Sequence, residues 1–193
     1  MNVLSAARTL LLGLCAILLA ACAGQPSRPT DVPPRPPRSE IQNFALTARV
    51  AITQARRAET IRMAWEHTPA QDAMGFENSL GMIVAELQRD AQGARWLTSA
   101  GEKYESRSAD ELMARLTDRP VPIQSLSLWV VGRLGQNGIA KFDDKGRLLE
   151  GLDSGWTIRV QEYEADRPDA LPRIVEAEVP GLRIRLVIDS WLL

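Results

Sequence analysis

The sequence predicts an α+β fold in which a long antiparallel sheet curls and two mid-chain helices cover its concave apolar face. Three observations carry this. Beyond residue 39 apolar side chains recur mostly at a period of two, the mark of half-buried strands. The period changes to a helical one only in the middle of the chain. The strand-like segments are joined by short turns, which connect antiparallel rather than parallel neighbours. A sheet of this length that is apolar on one face must bury that face, and the helices are the material available to cover it.

Residues 1–21 read as a lipoprotein signal peptide. Arg8 supplies positive charge, and Leu10 to Ala21 form an apolar run of about twelve residues, too short for the ~30 Å hydrocarbon core of a bilayer. The run ends in Leu19-Ala20-Ala21-Cys22, which resembles the lipobox of bacterial lipoproteins, whose cysteine thiol takes a diacylglycerol. The plainer alternative is an ordinary secretory cleavage site beside a chance cysteine. Cys15 falls within the discarded part, so Cys22 is the only cysteine of the mature chain and no intramolecular disulfide forms. Two or three acyl chains, at about 0.8 kcal/mol per buried CH₂, would make attachment lasting.

Residues 22–38 read as the acylated cysteine and a proline-rich tether. Pro26, Pro29, Pro33, Pro34, Pro36 and Pro37 crowd a stretch nearly free of large apolar side chains, a composition that favours polyproline II over packing. At about 3.1 Å per residue it would hold the domain up to roughly 45 Å from its anchor. A ligand for SH3-type modules is the alternative reading of such a segment.

Residues 39–193 form the folded domain. In Phe44 to Ile52 the even positions are apolar while Thr47 and Arg49 are polar. Ile61, Met63 and Trp65 alternate with polar neighbours in the same way. Met74 to Phe76, Met82 to Leu87, Arg95 to Thr98 and Lys103 to Glu105 continue the series, separated by the turn formers Asn78, Asp90, Gly93 and Gly101. Ser108-Ala109-Asp110-Glu111 then forms a capping box, with Leu112, Met113 and Leu116 on one helical face, which predicts a helix to about Arg119. Pro120 and Pro122 break it. Ile123, Leu126, Trp129 and Val130 recur at helical spacing until Gly132. Strands return at Ala140 to Phe142, at Arg147 to Leu152 after an Asp143 to Gly146 turn, and at Trp156 to Tyr163. Arg173 to Val179 and Leu182 to Asp189 close the chain.

Charge and side-chain inventory narrow the function. The 23 basic and 24 acidic residues are interleaved, with a net charge of −1, and lack the basic stripe that nucleic-acid binding requires. His67 is the only histidine, reads as part of a turn beside Thr68-Pro69, and has no sequence neighbours suited to a triad or metal cluster. There is no Gly-x-Ser-x-Gly elbow or phosphate-cradling glycine loop. Asp143-Asp144 lacks the alternating oxygen ligands of a calcium loop and reads as a hairpin turn. The expectation is a protein that is not an enzyme and holds no metal or other cofactor beyond a covalent lipid on Cys22.

One feature runs against expectation. In Glu77-Asn78-Ser79-Leu80-Gly81 a leucine occupies a tight turn between two strands, where polar residues are the rule. Either it folds back onto the core or it is held out for a purpose.

The sequence resembles the LolB family of lipoprotein receptors at the bacterial outer membrane. The resemblance spans nearly the whole chain. It is carried by the lipobox, Leu46 to Ile52, Trp65, Asn78 to Gly81, the run Leu116 to Ile123 leading into Ser125 to Gly132, Phe142-Asp143-Asp144, and Asp189-Ser190-Trp191. Two positions depart from it: Ala48 stands where the family often has glycine, and Ser79 where it often has proline. Ala48 suits a strand, whereas Ser79 lifts a φ constraint from the tip.

The resemblance implies that the curled sheet is an incomplete barrel enclosing an apolar cavity for the acyl chains of a cargo lipoprotein. A soluble LolA-like periplasmic carrier would bring the cargo. The receptor, a monomer anchored on the periplasmic side of the outer membrane of a Gram-negative bacterium, would accept the cargo and insert it into outer-membrane lipid without ATP. Ala23 agrees, since inner-membrane lipoproteins of enterobacterial type often carry Asp there. By the same correspondence Leu80 would touch the bilayer during delivery. Trp65, Leu126, Trp129, Val130 and Trp156 are candidates for the cavity wall, with plain core as the alternative for each. The competing functions are an anchored assembly lipoprotein that binds a protein partner, and an envelope hydrolase.

Overall fold

The computed structural model describes residues 32–54, 57–117 and 121–193. The signal peptide, Cys22 and Arg119-Pro120 lie outside the described residues. Eleven strands form one open sheet: β1 (Phe44–Gln54), β2 (Arg57–His67), β3 (Asp72–Glu77), β4 (Ile83–Asp90), β5 (Gly93–Thr98), β6 (Lys103–Ser106), β7 (Ile139–Phe142), β8 (Leu148–Asp153), β9 (Trp156–Tyr163), β10 (Pro172–Val179) and β11 (Leu182–Leu192). Two helices, α1 (Ala109–Thr117) and α2 (Ile123–Val130), interrupt the series.

The sheet order β6-β5-β4-β3-β2-β1-β11-β10-β9-β8-β7 explains how the cover arises. The chain begins at the centre of the sheet, walks outward by hairpins to the β6 edge, and resumes at the opposite edge, β7, before walking back. The only connection between the two edges is α1 and α2, so the helices must cross the concave side. The two edges do not pair with each other, which leaves the barrel incomplete.

Register places the apolar side chains in stripes across the strands. Leu46 faces Trp65, Trp65 faces Met74, Met74 faces Leu87 and Leu87 faces Trp96. A second stripe runs Ile61, Val50, Leu186, Val175, Val160. These side chains merge with Leu112, Ile123, Leu126, Trp129 and Val130 of the helices into one core. The opposite face is polar: Lys141, Glu150, Arg159, Glu178 and Arg183 form a chain of ion pairs 3.0 to 3.2 Å long across five strands. Such exposed pairs contribute little each. Their effect is to keep the middle of that face hydrated.

The β1–β11 seam is the one pairing between strands distant in sequence. Arg49 donates to Asp189 at 2.8 and 3.2 Å, Thr47 and Ser190 hydroxyls lie 2.7 Å apart, and Phe44 and Trp191 meet edge to face at 5.6 Å. Asp189-Ser190-Trp191 thus closes the fold, and β11 continues past the expected Asp189 to Leu192. Ala48 lies at the seam's bulge and is buried.

The helices begin and end as their sequences dictate. Ser108 Oγ accepts the amide of Glu111 at 3.2 Å, capping α1. After α2 the amide of Gly132 bonds Trp129 O and that of Arg133 bonds Leu128 O, both at 2.9 Å. This is a Schellman closure with Gly132 at φ 77°, a conformation that favours glycine.

Candidate functional site: the covered apolar face and the hairpin tip

Two polar devices finish the apolar face. The indole N–H of Trp65 donates to Asp72 at 2.9 Å, and that of Trp129 donates to Asp153 at 2.8 Å. A buried indole needs an acceptor, and a carboxylate at the end of a neighbouring strand supplies one in each case. Asp72 is 2% exposed and also receives His67 Nδ1 at 2.5 Å and a short bond from Arg89 Nε. Burial pushes the Asp72 carboxyl up, but bonds from His67, Arg89 and Trp65 outweigh it, and the net shift is downward. Asp153 behaves alike: burial raises it, but bonds from Trp129, the Gly135 amide at 2.7 Å and Ser154 outweigh that, and the net shift is downward. His67 therefore ends strand β2 rather than sitting in a turn, with its ring stacked on Phe44 at 4.8 Å.

Polar contacts tie the lid to itself and to the sheet. Asp110 of α1 accepts the amide of Ile123 at 2.8 Å, tying the two helices together. Burial holds the Asp110 carboxyl above its ordinary range despite this bond. Ser125 at the start of α2 meets Ser154 of the β8–β9 turn, hydroxyl to hydroxyl, at 3.2 Å. Replacing Trp129 with Phe removes the indole donor and keeps most of the packing. Loss of about 1.5–3 kcal/mol is expected in urea unfolding, the range for a bond to a charged acceptor.

The five expected wall residues are brought together. Trp65 (0% exposed) comes from β2, Leu126 (6%), Trp129 (1%) and Val130 (0%) from α2, and Trp156 (3%) from β9. The Trp129 and Trp156 rings lie 5.9 Å apart. All five are packed into the single core, so the apolar face is closed beneath the helices. A groove of about 310 Å³ opens beside α2, lined in part by Phe44, His67, Arg89, Gln124 and Leu128.

Leu80 is 79% exposed at the β3–β4 turn and does not fold back. Met82 (55%) and Ile83 (54%) beside it are also exposed, and Met82 lies in the turn ahead of the strand, which starts at Ile83. The turn is braced from within. Asn78 Oδ1 accepts the amides of Leu80 at 2.9 Å and Met82 at 3.1 Å, and Gly81 adopts φ 79°. Asn78 thus supplies the constraint that Ser79 does not.

An open antiparallel half-barrel with a helical lid over its apolar face defines the class. The family described as "Outer membrane lipoprotein LolB" matches residues 42–191. Curated relatives include an outer-membrane lipoprotein LolB from Azoarcus sp., 33% identical over 90% of this chain and 89% of its own length. Another from Vibrio cholerae is 30% identical over 96% of this chain and 97% of its own length. Among solved structures, a DUF1329 family protein from Desulfovibrio piger shares the fold at a TM-score of 0.51 and 7% identity, covering 80% of this chain and 86% of that one. The chain belongs to the LolB family.

Proposed function

We propose that this protein is an outer-membrane lipoprotein, anchored through a lipid on Cys22, that receives acylated lipoproteins from a soluble periplasmic carrier and inserts them into the outer membrane. The observation that carries the reading is an apolar concave face covered by two short helices of 9 and 8 residues. Moving α2 would carry Trp129 off Trp156, 5.9 Å away, and offer cargo acyl chains a site without breaking the sheet.

The energetics make a receptor necessary and an energy source unnecessary. An acyl chain of roughly fifteen methylenes costs on the order of 12 kcal/mol to expose to water. A chain moving from one apolar site to a better one, and finally into a bilayer, goes downhill at each step. No nucleotide, metal or catalytic group is required, and His67 serves the Asp72 cluster.

The lid is testable on a soluble form starting at Ala23, which contains no cysteine. Ser125→Cys with Ser154→Cys places two thiols where the hydroxyls now meet. Oxidation is expected to lock α2 down and abolish cargo uptake, and reduction to restore it. Unchanged uptake by the oxidised protein would mean the helices need not move.

One observation favours a second reading, an anchored assembly lipoprotein that binds a protein partner. Ile139, Phe142, Leu149 and Leu152 on the edge hairpin β7–β8 are all about half exposed or more. Uptake of acylated cargo separates the two readings, since the second requires none.

A further inference from the structure

In an antiparallel sheet the strand ends alternate between two poles, and register assigns each turn to one of them. Phe44 faces His67, Asp72 faces Arg89 and Pro172 faces Tyr163 at the first. Gln54 faces Arg57, Glu77 faces Ile83 and Asp153 faces Trp156 at the second. The Leu80 turn follows Glu77 and belongs to the second pole.

The two poles differ in charge. At the first, three of the four residues 143–146 and four of the six residues 164–169 are charged. At the second, the turn residues 78–82, 99–101, 154–155 and 180–181 contain no charged side chain. Glu77, Glu102 and Lys103 flank these turns and Arg57 opens β2 at the same pole, so the charges beside them are of both signs.

Exposed apolar side chains occupy the uncharged rim in two places. Leu97, at the end of β5, joins Leu80, Met82 and Ile83, and the Ser99 amide ties its turn to Val84 O at 3.0 Å. Toward the other end of the sheet, Ile139 (70% exposed) opens β7 and faces Leu152 (49%) across the ladder. The next residue is Asp153, the acceptor of the Trp129 indole, so this pair adjoins the lid. Because β6 and β7 do not pair, the two apolar groups stand on opposite sides of the gap in the barrel. On the face that carries Ile139 and Leu152 the next pair inward is Lys141 with Glu150, an ion pair of 3.0 Å. The apolar strip therefore stops at the rim, as a shallow contact with lipid requires. Phe142 and Leu149 are exposed at the first pole, around its charged 143–146 turn.

We propose that Ile139 and Leu152 form a second membrane contact, so that the uncharged pole rests on the bilayer at two points, one on each side of the gap. The proposal rests on the delivery reading above, in which the Leu80 tip touches lipid. A single tip leaves the domain free to tilt about it. Two contacts on one rim fix that pole against the bilayer and hold the gap beside the lid at its surface. Charged side chains resist hydrocarbon and small neutral turns do not, which selects the second pole over the first.

The test uses the full acylated protein in phosphatidylethanolamine–phosphatidylglycerol vesicles that contain a nitroxide-labelled lipid. Acylation occupies Cys22 and no cysteine follows it, so one introduced cysteine carries an NBD fluorophore alone. Three exposed positions spare the proposed contacts: Ser79→Cys at the tip, Asn137→Cys beside Ile139 and Asp144→Cys at the opposite pole. Quenching by the lipid is expected at positions 79 and 137 and not at 144. Ile139→Ser with Leu152→Ser should abolish quenching at 137 and slow delivery of carrier-supplied lipoprotein into the vesicle about tenfold, with uptake unchanged. Quenching at 79 without quenching at 137, or unchanged delivery by the double variant, overturns the proposal and leaves the delivery reading standing. No quenching at 79 rejects the role of Leu80 in delivery, and the proposal with it. Shielding of position 137 by added carrier, without quenching by lipid, also overturns it and assigns the hairpin to a protein partner.

Discussion

Leu80→Glu is expected to leave folding and cargo uptake at parental levels while slowing delivery to liposomes by about 10- to 100-fold. Burying one leucine is worth about 1.5–3 kcal/mol, and 1.4 kcal/mol is a factor of ten. Glutamate forfeits that contribution and adds a charge that resists the hydrocarbon. Because Leu80 is 79% exposed, the change should cost the fold less than about 0.5 kcal/mol. Met82→Ser at the same tip should act in the same direction and less strongly, since Leu80 protrudes furthest. The check is a pair of rates, carrier to receptor and receptor to vesicle, measured on one preparation. Equal loss in both would mean that the tip helps receive cargo, and the division between concave face and tip would fall.

Asp72→Ala is expected to be the most destabilising single change outside the apolar core. It would strand Arg89, 12% exposed, without its counter-charge and leave the Trp65 indole without an acceptor. Removing one partner of a buried pair costs about 3–5 kcal/mol, which for a domain of this size lowers Tm on the order of 10 °C. The pH dependence has a definite sign. The folded Asp72 carboxyl titrates below its ordinary value of 3.8, so the unfolded chain binds more protons as acid is added. The stability contributed by Asp72 is present above that ordinary value and is lost as pH falls through the folded one. Urea titrations from pH 6 down to about pH 3 should show steeper acid loss in the parental protein than in the variant.

The order of strands and helices was legible because each follows from local pattern. Alternation such as Ile61, Met63, Trp65, the Ser108 to Glu111 box and the Pro120-Pro122 break are all read within a few residues. Sheet order was less so, since β1 meets β11 across nearly the whole domain and no local signal announces that pair. The acidic acceptors were hidden for a different reason. Asp72 follows Thr68-Pro69 and Asp153 precedes Ser154-Gly155, so each reads as turn punctuation although each is buried beneath a tryptophan. Arg35 and Arg38 were masked by the prolines around them, whose composition signals a spacer while two long side chains reach Glu164 and the carbonyl of Ala170. Wall and core could not be told apart for Trp65, Leu126, Trp129, Val130 and Trp156, because the same apolar periodicity serves both.

The account turns on acyl-chain transfer through this domain. The most direct measurement gives the soluble form, starting at Ala23, a carrier loaded with acylated lipoprotein, and then liposomes, with no nucleotide present. The expected result is movement of cargo to the domain and onward into the vesicles. A folded domain that leaves the cargo on its carrier would contradict the receptor function and bring the exposed β7–β8 hairpin, and a protein partner for it, to the front.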